Sequence, residues 1–432
     1  MESPDHASPS GPAAARADIS EVFRLEYGRL VASLVRIVRD FDLAEEIAQE
    51  AFERALDHWP THGMPDRPGA WLLTTGRRRA LDRLRRGRRA EGHAGALAYE
   101  MALGATPEIP DAMDTEEIPD DRLRLIFTCC HPGLPGDSRV ALTLRLVGGL
   151  ATPEIARAFL VPEPTIAQRL VRAKRMIRER GLGYEVPEGP ELAERLASVL
   201  AVIYLIFNEG YAAHAGEALV RHDLCDEALR VGHMLAELMP AEPEVLGLVA
   251  LMDLQASRAA ARTDGAGNLV LLEDQDRTRW DRARIARGLD CLDRARALER
   301  VGPYQLQAAI VACHARAYSW EATDWARIVA LYGALAELAP SPVVQLNRAV
   351  AIGLAEGPAA GLAAIDAIDA SALRGYHLLP AARADFLRRL GRFGEAAAEY
   401  RAALRLVDNA REQSFLTARL AACEAAERGG TG

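Results

Sequence analysis

Apolar residues recur three or four positions apart along nearly the whole chain, which is the spacing of amphipathic helices. One such pattern runs from Ile19 to Val38 and a second from Ala44 to Ala55. Asp42, with Glu45 three residues later, predicts a capping box at the start of the second helix. The opposite face of this helix is acidic and polar, with Asp42, Glu46, Gln49, Glu50 and Glu53. The patterns predict an all-α protein.

Residues 152–180 contain two helical patterns separated by a short break. Thr152 is a candidate N-cap for the first helix, and Val161 and Pro162 interrupt the chain before the second. The second helix has a narrow apolar seam and an otherwise polar, basic surface; the seam is Ile166, Leu170, Ala173 and Ile177. This arrangement is typical of a helix-turn-helix, whose second helix enters a major groove. An ordinary basic helix in a bundle is the alternative interpretation of this stretch.

A proline-containing loop from Trp59 to Pro68 is predicted to precede a strongly basic helix. Leu73, Ala80 and Leu84 mark the inner face of that helix. Arginines occupy most of its remaining surface: Arg77, Arg78, Arg79, Arg83, Arg85 and Arg86.

Charge is distributed unevenly, although the net charge of −9 does not suggest a protein that coats DNA. Residues 61–90 carry nine arginines and two aspartates, and residues 151–182 carry seven basic and three acidic residues. Between them, residues 91–120 hold eight acidic residues and no lysine or arginine. Two basic segments separated by an acidic one indicate an organised charge pattern. Lys174 is the only lysine in the sequence.

Several classes of protein are disfavoured. Residues 1–17 are rich in Pro, Ser, Ala and Gly without an apolar core, so they predict a disordered tail rather than a signal peptide. The longest apolar run, 196–207, is too short to span a membrane. Six cysteines lack disulfide or zinc spacing, and the adjacent Cys129, Cys130 and His131 suit a buried helix end better than a metal site. We therefore expect a cytoplasmic, non-catalytic protein without cofactor or metal.

In order, these motifs resemble a bacterial RNA polymerase sigma factor of the extracytoplasmic-function (ECF) class, which keeps only sigma domains two and four. The resemblance rests on DLAEEIAQEAF, AWLLTTGRRRALDRLRR, the acidic linker and PEPTIAQRLVRAKR, within residues 18–182. It implies domain two at 18–90, a linker at 91–120 and domain four at 121–182. The sequence departs from the family pattern at Arg78, where asparagine is usual, and at Ala167 and Gln168. Promoter sequence therefore does not transfer from relatives.

The resemblance also implies residue roles. The partners are core RNA polymerase and promoter DNA, as the −35 duplex and the melted −10 strand. The polymerase-docking face would contain Asp42, Glu46, Gln49 and Glu50. At the −10 element, contacts to the DNA backbone would come from Arg77, Arg78, Arg79, Arg83, Arg85 and Arg86. Unpaired bases would stack on Trp59 and His62. Trp71 is more consistent with a core position. At the −35 element, Gln168 and Arg172 would contact bases, beside Ala167 and Val171, and Thr165, Arg169, Lys174 and Arg175 would contact phosphates.

The second half of the chain, 190–432, is predicted to form helix pairs. Small and aromatic residues from Gly391 to Leu404 match tetratricopeptide (TPR) spacing, and Pro340 and Asp408 stand two 34-residue periods apart. The chain thus resembles ECF sigma factors with a TPR-containing extension, which implies a regulatory domain and a protein or peptide ligand. Two polar stretches, 208–211 and 271–281, match no motif. The alternatives are a stand-alone helix-turn-helix regulator with a TPR-like sensor, and a repeat scaffold that binds nucleic acid.

Overall fold

The computed structural model describes residues 12–91, 117–159, 161–212, 222–262, 264, 270–407 and 410–429. Within these ranges the secondary structure is helical and contains no strand, so the all-α prediction is confirmed. Contacts divide the chain into two compact units, 1–206 and 207–432. No helix in the described ranges is long and apolar enough to cross a membrane.

The first unit contains eight helices in its described part, the last of which continues across the boundary between the units. They are α1 (Pro12–Val38), α2 (Phe41–His62), α3 (Pro68–Glu91), α4 (Glu117–Cys129), α5 (Gly136–Leu142), which continues as a π-helical segment (Thr143–Val147), α6 (Thr152–Ala158), α7 (Glu163–Arg180) and α8 (Pro190–Ala212).

Helices α1, α2 and α3 form a bundle around small and aliphatic side chains. Tyr27, Ile47 and Leu72 are completely buried at its centre. The start of α2 differs from the prediction, because the cap is Asp40, whose carboxylate accepts a hydrogen bond from the backbone N–H of Leu43 at 2.9 Å. Asp42 is therefore released for other contacts, and Glu45 is buried instead of completing a capping box.

The loop after α2 is shorter than predicted. The helix includes Pro60 and continues to His62, where Gly63 ends it with a φ of 81° that favours glycine. The connection to α3 is then residues 63–67. Helix α1 begins at Pro12, inside the predicted tail, and α4 begins at Glu117, inside the predicted linker. The rest of those two segments, 1–11 and 92–116, lies outside the described residues.

Helices α6 and α7 form the predicted helix-turn-helix. The seam of α7 is buried as expected, with Ile166, Leu170, Ala173 and Ile177 each no more than 6% exposed. Thr152 is not the cap of α6. It is the first helical residue, and Glu154 closes the first turn by accepting a hydrogen bond from the backbone N–H of Ala151 at 2.7 Å.

Helix α8 begins in the first unit, although residue 190 was predicted to open the C-terminal domain. Arg195 is 5% exposed and donates to the carbonyl of Phe127 at 3.1 Å. Ser198 donates to the carbonyl of Cys130 at 2.6 Å. These bonds fix the first half of α8 to the end of α4, so the first unit extends to Ile206.

The second unit continues with helix pairs. They are α9 (His222–Leu238), α10 (Pro243–Ala256), α11 (Arg282–Ala297), α12 (Pro303–Arg316), α13 (Trp325–Leu338), α14 (Pro342–Ala355), α15 (Pro358–Asp366), α16 (Leu378–Arg389), α17 (Phe393–Leu404) and α18 (Ala410–Gly429), with short 3-10 turns between some of them.

The predicted repeat positions lie in the core of this unit. Ala396, Tyr400 and Ala403 of α17 are at most 2% exposed, within the cluster formed by α14 to α18. Trp325, Tyr332 and Leu335 belong to a neighbouring cluster. Asp408, the second marker of the 34-residue period, lies outside the described residues. The packing agrees with paired helices, and the TPR assignment itself stays a prediction.

Candidate nucleic-acid interface

One surface of α7 is open to solvent along most of its length. Ala167, Gln168, Arg172 and Arg175 are exposed, and Val171 is 66% exposed although it is apolar. Thr165 is half-buried near the start of the helix. These residues lie opposite the buried seam, as the sequence predicted. The exposed surface combines an amide and guanidinium groups, which are side chains that pair with base edges and phosphates.

Three predicted phosphate contacts on α7 form ion pairs, and the weakest is the exposed pair of Arg175 with Glu179 at 3.7 Å on the same helix. Lys174 is only 13% exposed, and its ammonium group donates to Asp42 Oδ1 at 2.8 Å and to the carboxylate of Glu45. Arg169 forms an ion pair with Asp137 at 2.8 Å. In the described arrangement Lys174 therefore cannot contact a phosphate. The role of Lys174 as a phosphate contact was predicted from α7 alone, without these carboxylates, and it stays a prediction.

Glu45 lies at the centre of this contact and is 7% exposed. Its carboxylate accepts hydrogen bonds from Tyr27 Oη at 3.2 Å and from Arg145 Nε at 2.7 Å, as well as from Lys174. The residues Tyr27, Asp42, Glu45, Arg145, Lys174 and Arg178 are referred to below as the Glu45–Lys174 cluster. It joins α1, α2, the π-helical segment and α7 of the first unit.

Electrostatics favours the charged forms of Lys174 and Asp42. Burial alone would lower the pKa of Lys174, but the carboxylates of Glu45 and Asp42 outweigh it and raise that pKa. Burial alone would raise the pKa of Asp42, but hydrogen bonds from Lys174 and the charge of Arg178 hold it below its usual value. Arg178 reaches Asp42 at 3.2 Å and Asp40 at 3.4 Å.

A second contact lies between α1 and the regions before and after the helix-turn-helix. Arg36 forms an ion pair with the buried Asp121 at 3.0 Å. Tyr184, just after α7, donates to the carbonyl of Ala32 at 2.7 Å. The predicted domains two and four are therefore packed together within one compact unit.

The acidic face of α2 meets the arginine helix α3. Arg83 bonds to Glu46 at 2.7 Å and to Glu50 at 2.6 Å, and Arg79 pairs with Glu50 at 3.1 Å. The predicted docking residues Glu46 and Glu50 and the predicted phosphate contacts Arg79 and Arg83 thus neutralise one another in part. Gln49 remains exposed on the same face.

Four arginines of α3 are better placed for phosphate. Arg77, Arg78, Arg85 and Arg86 are exposed and form no ion pair with any residue that the structure describes. They provide exposed positive charge in the middle and second half of α3 and take no part in the pairs with α2.

The aromatic residues at the end of α2 differ from the prediction. Trp59 is 3% exposed and packs edge-on against Trp71, so its ring face cannot receive a base. His62 instead stacks on His58 with ring centroids 4.0 Å apart, and His58 stacks on Trp71 at 5.9 Å. His58 and His62 are exposed. His58 was missed in the sequence, although its spacing of four residues from His62 places both rings on one helix face.

No group of three metal-binding side chains occurs among the described residues. Cys129 and Cys130 are buried, and burial raises the pKa of the Cys130 thiol to about 11. His131 uses Nδ1 to accept a hydrogen bond from the backbone N–H of Gly133 at 2.9 Å. The arrangement agrees with a buried helix end.

A helical domain with an acidic face and an arginine helix, followed by a helix-turn-helix, defines the sigma-70 class of transcription initiation factor. The family models agree: Sigma-70 region 2 matches residues 22–90, and Sigma-70, region 4 matches residues 124–177. A third model, a family of unknown function (DUF6596), matches residues 195–296. Sigma factors are not a class of enzymes.

Similar proteins indicate which kind of sigma factor the chain resembles. The chain is 31% identical to the ECF RNA polymerase sigma factor SigK of Mycobacterium ulcerans, over 35% of this chain and 78% of that protein. It is 29% identical to SigK of Mycobacterium tuberculosis strain H37Rv, over 38% of this chain and 85% of that protein. It is 46% identical to the uncharacterized protein R00370 of Rhizobium meliloti, over 90% of this chain and 92% of that protein. No solved structure matches.

The chain belongs to the family of ECF RNA polymerase sigma factors. It is an alternative sigma factor that binds core RNA polymerase and promoter DNA and directs transcription initiation. The segment predicted to carry a TPR extension matches in part the family of unknown function, so the repeat assignment stays a prediction.

Proposed function

We propose that the exposed surface of α7 contacts the −35 duplex, with Gln168 and Arg172 at base edges. The observation that carries this proposal is the exposure of these two side chains on the helix face opposite the buried seam. Ala167 and Val171 lie beside them and offer apolar contacts to thymine methyl groups. Thr165 and Arg175 would contact the flanking phosphates.

The −10 contacts would come from α3 and the stacked rings at the end of α2. Arg77, Arg78, Arg85 and Arg86 are exposed and without ion pairs among the described residues, which suits phosphate binding. The His58, His62 and Trp71 stack replaces Trp59 as the candidate for unpaired bases, because an additional ring can extend an exposed stack.

Polymerase docking is assigned to the exposed face of α2, centred on Gln49 with Asp42, Glu46 and Glu50. In the described arrangement Asp42 is paired with Lys174. The Asp42 carboxylate thus binds Lys174, which the sequence assigned to DNA contact. Asp42 is itself assigned to polymerase docking. We infer that the Glu45–Lys174 cluster belongs to a closed form, and that its contacts to α7 separate when both partners are bound.

Promoter geometry supports this separation. The −10 and −35 elements lie about a turn and a half of DNA apart, at roughly 35 Å per turn. Domains that share buried ion pairs cannot occupy both elements at once. Residues 92–116 connect α3 to α4, and 25 extended residues reach at most about 90 Å. That length permits both elements to be occupied once the contacts open.

The second unit is proposed to regulate this sigma factor. Residues 207–432 carry a net charge of −5, whereas the two basic segments of the first unit are positive. A protein or peptide ligand on the paired helices is the expectation that follows from the TPR resemblance.

A matched pair of substitutions on α7 tests the −35 assignment. Arg172→Ala should cost about 1–3 kcal/mol at one base pair and relax the preference there, because a bidentate base contact is lost. Arg175→Ala removes the same charge from the same exposed surface. It should weaken all sequences equally and reduce the slope of log affinity against log salt by about one. Holoenzyme binding to a library of −35 variants, measured at several salt concentrations, distinguishes the two effects.

A uniform loss for both variants would remove Arg172 from the base-contacting set. The stand-alone regulator makes a different prediction, since the protein would then bind the same duplex with unchanged affinity in the absence of core polymerase.

A further inference from the structure

The two polar stretches without a motif meet in the second unit. Tyr211, from the first stretch, contacts two arginines that follow α10. Arg258 Nη2 donates to Tyr211 Oη at 3.0 Å, and Arg262 Nη1 donates to the Tyr211 carbonyl at 2.9 Å. The Arg262 guanidinium also lies 3.9 Å from the centre of the Tyr211 ring.

The second stretch contributes Arg277 and Trp280. Arg277 is 7% exposed and donates to the carbonyls of His314 at 2.6 Å and Ala317 at 2.7 Å. The guanidinium groups of Arg277 and Arg258 lie 5.0 Å and 6.0 Å from the centre of the Trp280 ring. The residues Tyr211, Arg258, Arg262, Arg277, Trp280 and His314 are referred to below as the Arg258–Arg277 cluster.

This cluster contains three guanidinium groups and no carboxylate. Among the described residues, none of the three arginines has an acidic partner within ion-pair distance. Two neighbouring acids are used elsewhere, since Asp276 caps the turn at Thr278 and Asp281 caps α11. Glu321 affects the pKa of Arg277, but it is exposed and forms no ion pair within the described ranges.

Another buried charge in the same unit shows the usual compensation. Asp253 of α10 is completely buried, and three basic side chains surround it. His233 lies at 3.0 Å, Arg287 at 3.5 Å and Arg284 at 3.8 Å. Buried charges are ordinarily balanced in this way, because an isolated charge is poorly solvated in the protein interior. The three guanidinium groups of the Arg258–Arg277 cluster differ from Asp253 in having no such counter-charge among the described residues.

Polar atoms in the cluster also lack partners. Trp280 is 3% exposed, and its indole Nε1–H has no acceptor among the described residues. The same holds for the buried Nε–H of Arg258, and Nδ1 of His314 has no hydrogen-bond partner within the described ranges either. Burial, with the charges of Arg258 and Arg277, lowers the pKa of His314 to about 4, so this ring is neutral at pH 7. Two donors without acceptors, in a positive field, suit an anion with several acceptor oxygens.

We propose that the Arg258–Arg277 cluster binds the phosphate group of a small molecule. A phosphate carries a charge near −2 at pH 7 and several strong acceptor oxygens, whereas a carboxylate carries only −1. It would accept from the indole of Trp280 and from the Arg258 guanidinium, whose planar donors match phosphate geometry. Arg277 already binds two carbonyls and supplies mainly positive charge. The site makes the second unit a receptor for a phosphorylated ligand, independently of the promoter assignments above.

Titration of the full-length protein with inorganic phosphate tests this proposal, with tryptophan fluorescence as the readout. We expect saturable binding with a dissociation constant below about 1 mM. Arg258→Met should weaken binding by about tenfold or more, because a charge-assisted hydrogen bond is lost. Arg300→Met is the matched control, since Arg300 lies at an exposed position of the same unit and pairs with Glu242 at 3.7 Å. The control should bind phosphate like the original protein.

A second measurement does not depend on a variant that folds. Phosphate should raise the pKa of His314, followed by NMR, because a bound anion offsets the field of Arg258 and Arg277. Acetate and chloride at equal ionic strength should leave that pKa unchanged. Equal effects of chloride and phosphate would show screening rather than a site and would overturn the proposal, as would the absence of saturable binding. A sugar phosphate and a nucleoside monophosphate, added in parallel, distinguish free phosphate from a phosphorylated metabolite as the preferred form.

Discussion

The two units of this sigma factor each bury a group of charges, but only one group is balanced. In the Glu45–Lys174 cluster, Glu45 accepts from Tyr27, Arg145 and Lys174, and Asp42 completes the partners of the lysine. In the Arg258–Arg277 cluster, the partners of the guanidinium groups are carbonyls, hydroxyls and rings. The first cluster is complete without a ligand, whereas the second leaves donors unused.

This difference indicates what each cluster can do. A buried ion pair adds little net stability compared with apolar packing, but removing one partner leaves the other charge buried and unpaired. The balanced cluster therefore holds α2 and α7 in one defined arrangement. The unbalanced cluster gains most from an anion supplied from outside. Three predictions test this comparison.

The largest expected effect is that of Glu45→Ala. The substitution leaves the Arg145 and Lys174 charges and the Tyr27 hydroxyl without their shared acceptor, so we expect a loss of about 3–5 kcal/mol in the free energy of unfolding. Urea denaturation followed by circular dichroism measures this loss in the unfolding transition of the first unit.

Glu53→Ala provides the control on the same helix. Glu53 is exposed, so its removal should change stability by less than about 0.5 kcal/mol. Similar stabilities of the Glu45 and Glu53 variants would contradict the central role of Glu45.

The sequence predicted the parts of this structure that depend on local spacing. The apolar seam of α7 and the exposed Gln168 and Arg172 follow from the helical period alone, and the structure confirms both. The helix pairs of the second unit follow in the same way. A periodic pattern identifies one buried face without knowledge of what covers it.

Contacts between distant segments could not be predicted. Lys174 has the spacing of a phosphate contact, but its partner Glu45 lies 129 residues away in the sequence. Trp59 was assigned to a loop because Pro60 follows it, and α2 nevertheless continues to His62. The Arg258–Arg277 cluster combines four segments, none of which shows a binding motif by itself. Only the tertiary fold shows that their charges are unbalanced.

The second prediction concerns the unbalanced cluster and pH. The pKa of His314 is about 4 in the folded protein against 6.5 for the ordinary side chain. The unfolded chain therefore binds a proton between these pH values and the folded chain does not, so stability falls as pH decreases from 6.5 to 4. At pH 5 the loss relative to pH 7 should approach about 2 kcal/mol, discounted for partial exposure of the ring. Thermal unfolding of the full chain across this pH range measures it.

His314→Gln removes the titrating group and should reduce the pH dependence of the stability of the second unit. Phosphate at saturating concentration should do the same in part, because a bound anion stabilises the protonated ring. A dependence that persists unchanged in the glutamine variant would assign the effect to another group.

The smallest expected effect concerns the link between α2 and α7, and Lys174 makes it measurable because the chain has no other lysine. An amine-reactive reagent then modifies only Lys174 and the N-terminal amine, which serves as an internal reference. The Lys174 side chain is 13% exposed and its pKa is raised, so both the access of the reagent and the neutral fraction of the amine are reduced. Asp42→Asn removes its more exposed partner. Such ion pairs contribute up to about 1 kcal/mol, so the modification rate should rise by up to about fivefold.

Asp57→Asn is the matched control, since Asp57 is exposed on the same helix and forms no ion pair with the described residues. The rate of Lys174 modification in this variant should equal that of the original protein. Core polymerase should accelerate the modification further, because docking on α2 requires Asp42 to release Lys174. The acceleration should be smaller in the Asp42→Asn variant, where part of the link is already lost. Equal rates with and without polymerase would show that the contact between α2 and α7 persists in the complex, and the closed form would then have no role in controlling access to the promoter.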